Sequence, residues 1–135
     1  MSLNEHQKRH VGVTLRLLDK ELAQLERLIQ TEEEGVLFRR VNDFDAGERE
    51  RLRSLAAAMR EVLRRVKKRH DLPVDVESTR QTLMAHFSHL WGDLEEMRPR
   101  ELRGYGRVDL GLTETLEPDL DMLIQMVGMI RNVFR

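Results

Sequence analysis

Histidines and nearby carboxylates are the residues of this chain best equipped for chemistry. His6 and His10 are spaced i, i+4, and His86, His89 and Asp93 fall within two helical turns. On helices, each group shares one side, and imidazoles with a carboxylate suit zinc or a harder transition metal. His6, His10, His86, His89 and Asp93 are therefore the candidate metal ligands. The motifs that would strengthen this reading are missing. The residues three before the histidines are Leu3, Gln7, Lys67, Leu83 and His86, so the Glu-x-x-His spacing of di-iron bundles is absent. No His-Glu-x-x-His occurs. On an ideal helix His86 lies about 60° and His89 about 120° from the apolar axis of its own segment. Ordinary flank histidines are the simpler reading.

Nucleophiles are equally thin. The chain has no cysteine, which excludes disulfides, Cys-ligated zinc, iron–sulfur clusters and a thiolate nucleophile. Ser54, Ser78 and Ser88 fall in segments read as helices, and none sits in a Gly-x-Ser-x-Gly elbow. The acidic residues follow exposed helix faces at the spacing of solvated ion pairs. No catalytic residue and no cofactor are expected, and the balance leans away from an enzyme.

Two basic groups remain. Arg100, Arg103, Tyr105 and Arg107 surround Gly104 and Gly106 in a long connector. Glycines let backbone approach a phosphate or carboxylate, and arginines can fork onto it. These four are the candidate ligand-binding residues, although no phosphate-loop fingerprint is present. The plainer alternative is a loop packed by Tyr105 and Leu102. Arg60, Arg64, Lys67 and Lys68 near the end of the second helical segment are candidate anion binders. Cations also suit a helix C-terminus by themselves. The net charge is −1, yet residues 35–74 carry eleven basic and six acidic side chains. A polyanion would meet that stretch first. Without interleaved aromatics or a recognised motif, nucleic acid is the weaker reading.

The elements that must position these groups are helices. Of 135 residues, 40% are hydrophobic, 35% charged and only 4% aromatic, and no run alternates with period two. The expected fold class is all-α, an antiparallel four-helix bundle in one domain, 1–135, with up-down-up-down topology. Its helices are placed at about 4–30, 46–70, 76–98 and 118–134, with a long connector before the last. Val11, Leu15, Leu18, Leu22, Leu25 and Ile29 form the first stripe, with Gly35 ending that segment. The acidic run Glu32 to Glu34 opposes the helix dipole, so fraying is expected there. Val36, Leu37, Phe38 and Val41 are expected to cover one end of the core. Asp45 and Glu48 form a capping box for the second helix, Asp75 is the cap proposed for the third, and Pro118 suits the first turn of the fourth. The steps of three and four favour near-parallel packing.

The last helix carries more apolar surface than one contact needs. Leu116, Leu120, Leu123, Val127, Ile130 and Phe134 make one stripe; Met122, Met126, Met129 and Val133 make a second. Together with Ile124 the arc covers roughly 220°, against about 100° for a helix packed on one side. Methionines adapt to surfaces that must repack against a partner. The second stripe is therefore the candidate partner-binding face, the plainer alternative being that Met122 and Met126 fill gaps in the chain's own core. The expected function is association, as a homodimer or with another protein, and an isologous pair is the commonest closed form. A metal- or ligand-binding bundle and a polyanion binder are the alternatives. The first ten residues are polar and no apolar run approaches the ≈ 20 residues of a membrane span, so a cytoplasmic chain without membrane contact is expected.

Overall fold

In the computed structural model, which describes residues 2–135 without the Leu110 side chain, the chain is mostly helical. Helix α1 (Glu5–Leu28) opens on a capping box: the Asn4 side chain accepts the Gln7 N–H at 2.8 Å, and the Gln7 side chain accepts the Asn4 N–H at 3.0 Å. Two of the four orphan N–H groups of a helix start are thereby satisfied. The sequence showed the box of the next helix but not this one.

The end of α1 corrects the expectation. Gly35 does not terminate the helix; the last turn closes at Ile29, and distant side chains cover its carbonyls. The Arg40 guanidinium donates to Leu28 O at 3.0 Å and to Thr31 Oγ1 at 2.7 Å, and Asn42 Nδ2 donates to Ile29 O at 2.6 Å. The acidic run does not fray the turn. Glu33 pairs with Arg27 at 3.1 Å and with Arg40 at 3.4 Å, and Glu32 accepts the Asn42 N–H at 2.8 Å. These acids meet fixed cations at the helix end, so the dipole argument is outweighed locally.

Between α1 and the next helix a minimal antiparallel ladder forms, β1 (Glu33–Glu34) with β2 (Arg39–Arg40), pairing Glu33 with Arg40 and Glu34 with Arg39. Opposite charges face each other across both rungs. Gly35 is needed at the tip: the Phe38 ring lies where a Cβ would stand. Contrary to the expectation from its composition, the tip does not cover the core. Val36 and Leu37 are 99% and 98% exposed. The tight turn, closed by Gly35 N–H to Phe38 O at 2.9 Å, points them away from the helices.

Helix α2 (Ala46–His70) starts on the Asp45–Glu48 box, both halves of which are formed. It packs on α1 around Ala56, with Arg60 bridging to Glu26 at 3.0 Å. Asp71 ends it in the left-handed region, φ 49°, with the Leu72 N–H reaching Lys67 O at 3.0 Å.

The remaining helices begin and end differently from the pattern. Helix α3 (Thr79–Glu95) is capped by Ser78, whose Oγ accepts the Gln81 N–H at 3.2 Å, rather than by Asp75. Arg98 is extended, the conformation favoured before proline, and buried Pro99 opens the short helix α4 (Pro99–Leu102). A 3₁₀ turn (Arg103–Tyr105) follows and breaks at Gly106, φ 147°. Helix α5 (Leu110–Phe134) starts eight residues before the expected position, with the Asp109 side chain accepting the Gly111 N–H at 3.2 Å. Pro118 lies inside it and deprives Glu114 O of a donor. The apolar positions Leu112, Leu116 and Leu120 carry the helix through that defect, Leu120 being 1% exposed.

Contacts group the chain into two compact units, Met1–Val74 and Asp75–Arg135, each described by itself. In the second, α3 and α5 run antiparallel. Arg80 near the start of α3 donates to Val133 O at 3.1 Å, Phe87 meets Phe134 with ring centroids 6.0 Å apart, and Arg131 lies over Trp91 at 6.0 Å. At the other end Arg98 reaches Asp121 at 2.8 Å.

Two substitutions test these ends. Arg40→Met removes the charged donor from the α1 terminus and should lower unfolding stability by about 2 kcal/mol, read as a fall in urea midpoint. Asp71→Gly relieves the left-handed backbone and should raise stability by about 1 kcal/mol. An unchanged midpoint for either variant contradicts the assigned cap.

Candidate functional site

The α3–α5 hairpin carries the two features with functional geometry. The first is the outer face of α5. Its inward side is formed by Leu112, Leu116, Leu120, Ile124, Val127 and Phe134, all buried or half-buried. Leu123 and Ile130, expected to face inward, are exposed instead and join Met122, Met126, Met129 and Val133. The helix is rolled so that Ile124 and Arg131 occupy the inner side. Arg131 finds the Trp91 ring there, and Asp121 is held by Arg98. The outer face is continuous and free of charge from residue 122 to 130, with Met126 51% and Met129 62% exposed.

The second feature is a cavity of about 530 Å³ formed by α4, the 3₁₀ turn and the first two turns of α5. Pro99, Arg100, Arg103, Gly106, Arg107, Val108, Asp109, Thr113 and Glu117 line it. Three of the four connector residues singled out in the sequence thus meet at one place. The fourth, Tyr105, is 91% exposed and outside the lining. Pro99, Val108, Asp109, Thr113 and Glu117 were missed, because only the early start of α5 brings that helix to the connector.

Arg98 organises the wall of this cavity. Its side chain pairs with Glu95 at 2.7 Å, Asp121 at 2.8 Å and Glu117 at 3.5 Å. The hydrogen bonds to Glu95 and then Asp121 raise its pKa further, so it stays protonated at any working pH. The same Arg98 bond holds the Glu95 carboxyl below its ordinary 4.5. Glu117 and Asp109, the two acids of the lining, are therefore engaged, one by Arg98 and one by the Gly111 N–H.

His6, His10 and His86 are exposed, and His89 makes one contact, with Asp93 at 3.5 Å. Among the described residues no three His, Cys, Asp or Glu side chains gather as a metal ion needs. On α2, Arg60 is committed to Glu26 and Arg64 to Glu61, leaving Lys67 and Lys68 on an exposed surface without a counter-charge among the described residues. No described helix is long and apolar enough to cross a membrane. Comparison of the chain with protein-family models, curated proteins and solved structures finds no match.

The lowered Glu95 pKa has a pH signature. On unfolding the carboxylate loses Arg98 and returns to its ordinary affinity for protons, so its contribution to stability is complete above pH 4.5 and disappears as pH falls through the depressed folded value. The gap in urea midpoint between the wild type and Glu95→Gln should be widest near neutrality and shrink on acidification. A gap independent of pH would show that Glu95 acts through something other than its charge.

Proposed function

We propose that the chain acts by association, pairing with a second copy of itself through the outer face of α5. One observation carries the reading: an uncharged apolar stripe stands exposed at Met122, Met126, Met129 and Val133, flanked by Leu123 and Ile130. The steps of four, three and four are those of a helix–helix seam. The stripe is also self-complementary. In an antiparallel pair about a two-fold axis, Met122 faces Val133 and Met126 faces Met129, which is the reciprocity an isologous contact requires. A face without charge offers nothing to select an unlike partner, whereas methionines repack readily against their own kind.

The thin core supports the same reading. Leu120 is the one fully buried large side chain among the described residues, and a two-helix layer leaves each helix an uncovered side. Two α3–α5 hairpins pressed together supply four helices and a shared interior, in place of the single-chain bundle expected from the stripes. The seam spans three helical turns, about 16 Å at 1.5 Å per residue, so the affinity belongs to the moderate range of small interfaces.

Light scattering on the full chain should give twice the 15.9 kDa chain mass at about 100 µM, falling toward the single mass on dilution. Met126→Glu places a charge at the centre of the seam and should return the protein to a monomer, with its helical circular dichroism retained. A wild-type chain that stays at the single mass across this range sinks the proposal.

A further inference from the structure

The cavity between α4 and the start of α5 has the chemistry of a ligand site independent of the association face. Arg100, Arg103 and Arg107 all line it. Arg100 pairs with its neighbour Glu101 at 3.4 Å on an exposed surface and its charge also acts on Glu95, while neither Arg103 nor Arg107 takes part in a described ion pair. Both acids of the lining already have partners of their own, Arg98 for Glu117 and the α5 cap for Asp109. The lining therefore sets three arginines against two carboxylates, and Arg103 and Arg107 stand outside any described ion pair. A solvated basic surface would spread such residues; here the 3₁₀ turn and the break at Gly106 fold them around one hollow.

We propose that this cavity binds the phosphoryl group of a small phosphate monoester. Three forks of N–H donors exceed what a single carboxylate can accept, and they match a dianion with three terminal oxygens. The volume, about 530 Å³, is in the range of ligand pockets and leaves room beyond the phosphoryl group. Pro99 and Val108 give that remaining space an apolar wall, suited to the carbon body of an ester rather than to a free ion.

The experiment is a titration of the full-length ¹⁵N-labelled protein with glycerol 3-phosphate, inorganic phosphate and glycerol, followed by amide shifts. Glycerol 3-phosphate should saturate below about 10 mM and move the Gly104, Gly106 and Thr113 amides. Inorganic phosphate should move the same amides with at least threefold weaker affinity, and glycerol should move none. Arg103→Gln with Arg107→Gln should weaken the ester at least tenfold. Both side chains are exposed and unpaired, so the variant keeps its fold, checked by circular dichroism. Lys67→Gln with Lys68→Gln should leave the affinity unchanged. The proposal is overturned by shifts that do not saturate, by a response that survives loss of Arg103 and Arg107, by equal loss in the lysine variant, or by inorganic phosphate binding as tightly as the ester. None of these results depends on whether the chain dimerises.

Discussion

Arg98 stands where three pieces of chain meet: the end of α3, the start of α4 and the second and third turns of α5. Its side chain is only 18% exposed, and its guanidinium holds Glu95, Glu117 and Asp121 together. A single isolated surface ion pair contributes little. A shared cation among three carboxylates from two helices is different, because removing it leaves three like charges facing one another. That constraint fixes the rotation of α5 about its own axis at one end, as Arg131 over Trp91 does at the other. Which residues of α5 face outward follows from those two arginines, and so does the presence of Glu117 in the cavity wall.

The rotation explains what the sequence could and could not show about the site. Spacing alone reveals that α5 has surplus apolar surface. It does not reveal where the surplus lies, because an arc of roughly 220° contains several equally apolar inward directions. Met122, Met126, Met129 and Val133 lie at one edge of that arc and Ile124 at the other, so the choice of direction decides which edge emerges. Leu123 and Ile130 change sides with the choice, and only the contacts of Arg98 and Arg131, made to residues 23 and 40 positions away, decide it. Polar residues set the roll of an apolar helix here, since their partners are few and directional while apolar packing is neither.

Helix starts show the same division between local and distant causes. The α2 start was legible because a capping box is complete within four residues. The α1 end was not, because its carbonyls are satisfied by Arg40 and Asn42, more than ten residues downstream. Pro118 was misleading for a related reason. Proline at a first turn is the cheaper placement, but the inward line of Leu112, Leu116 and Leu120 extends the helix through it. The arginines of the connector could be read as a group in sequence, whereas their convergence depends on that extension, since a helix beginning at Pro118 would leave Asp109 and Thr113 in a loop and the cavity without its far wall.

The two features of α5 occupy opposite ends of one rod, and this separation matters physically. The cavity engages residues up to Glu117, and the seam begins at Met122. In an antiparallel pair centred between Val127 and Gly128, the Thr113 positions of the two copies lie about 44 Å apart at 1.5 Å per residue. That is several Debye lengths at physiological ionic strength, roughly 8 Å each. In the proposed pair, two arginine-lined cavities at that distance would impose no repulsion, and the apolar seam would need no charge to hold it. Had the basic cavity fallen at the C-terminal half of the helix, the same two-fold symmetry would have set six guanidinium groups against each other.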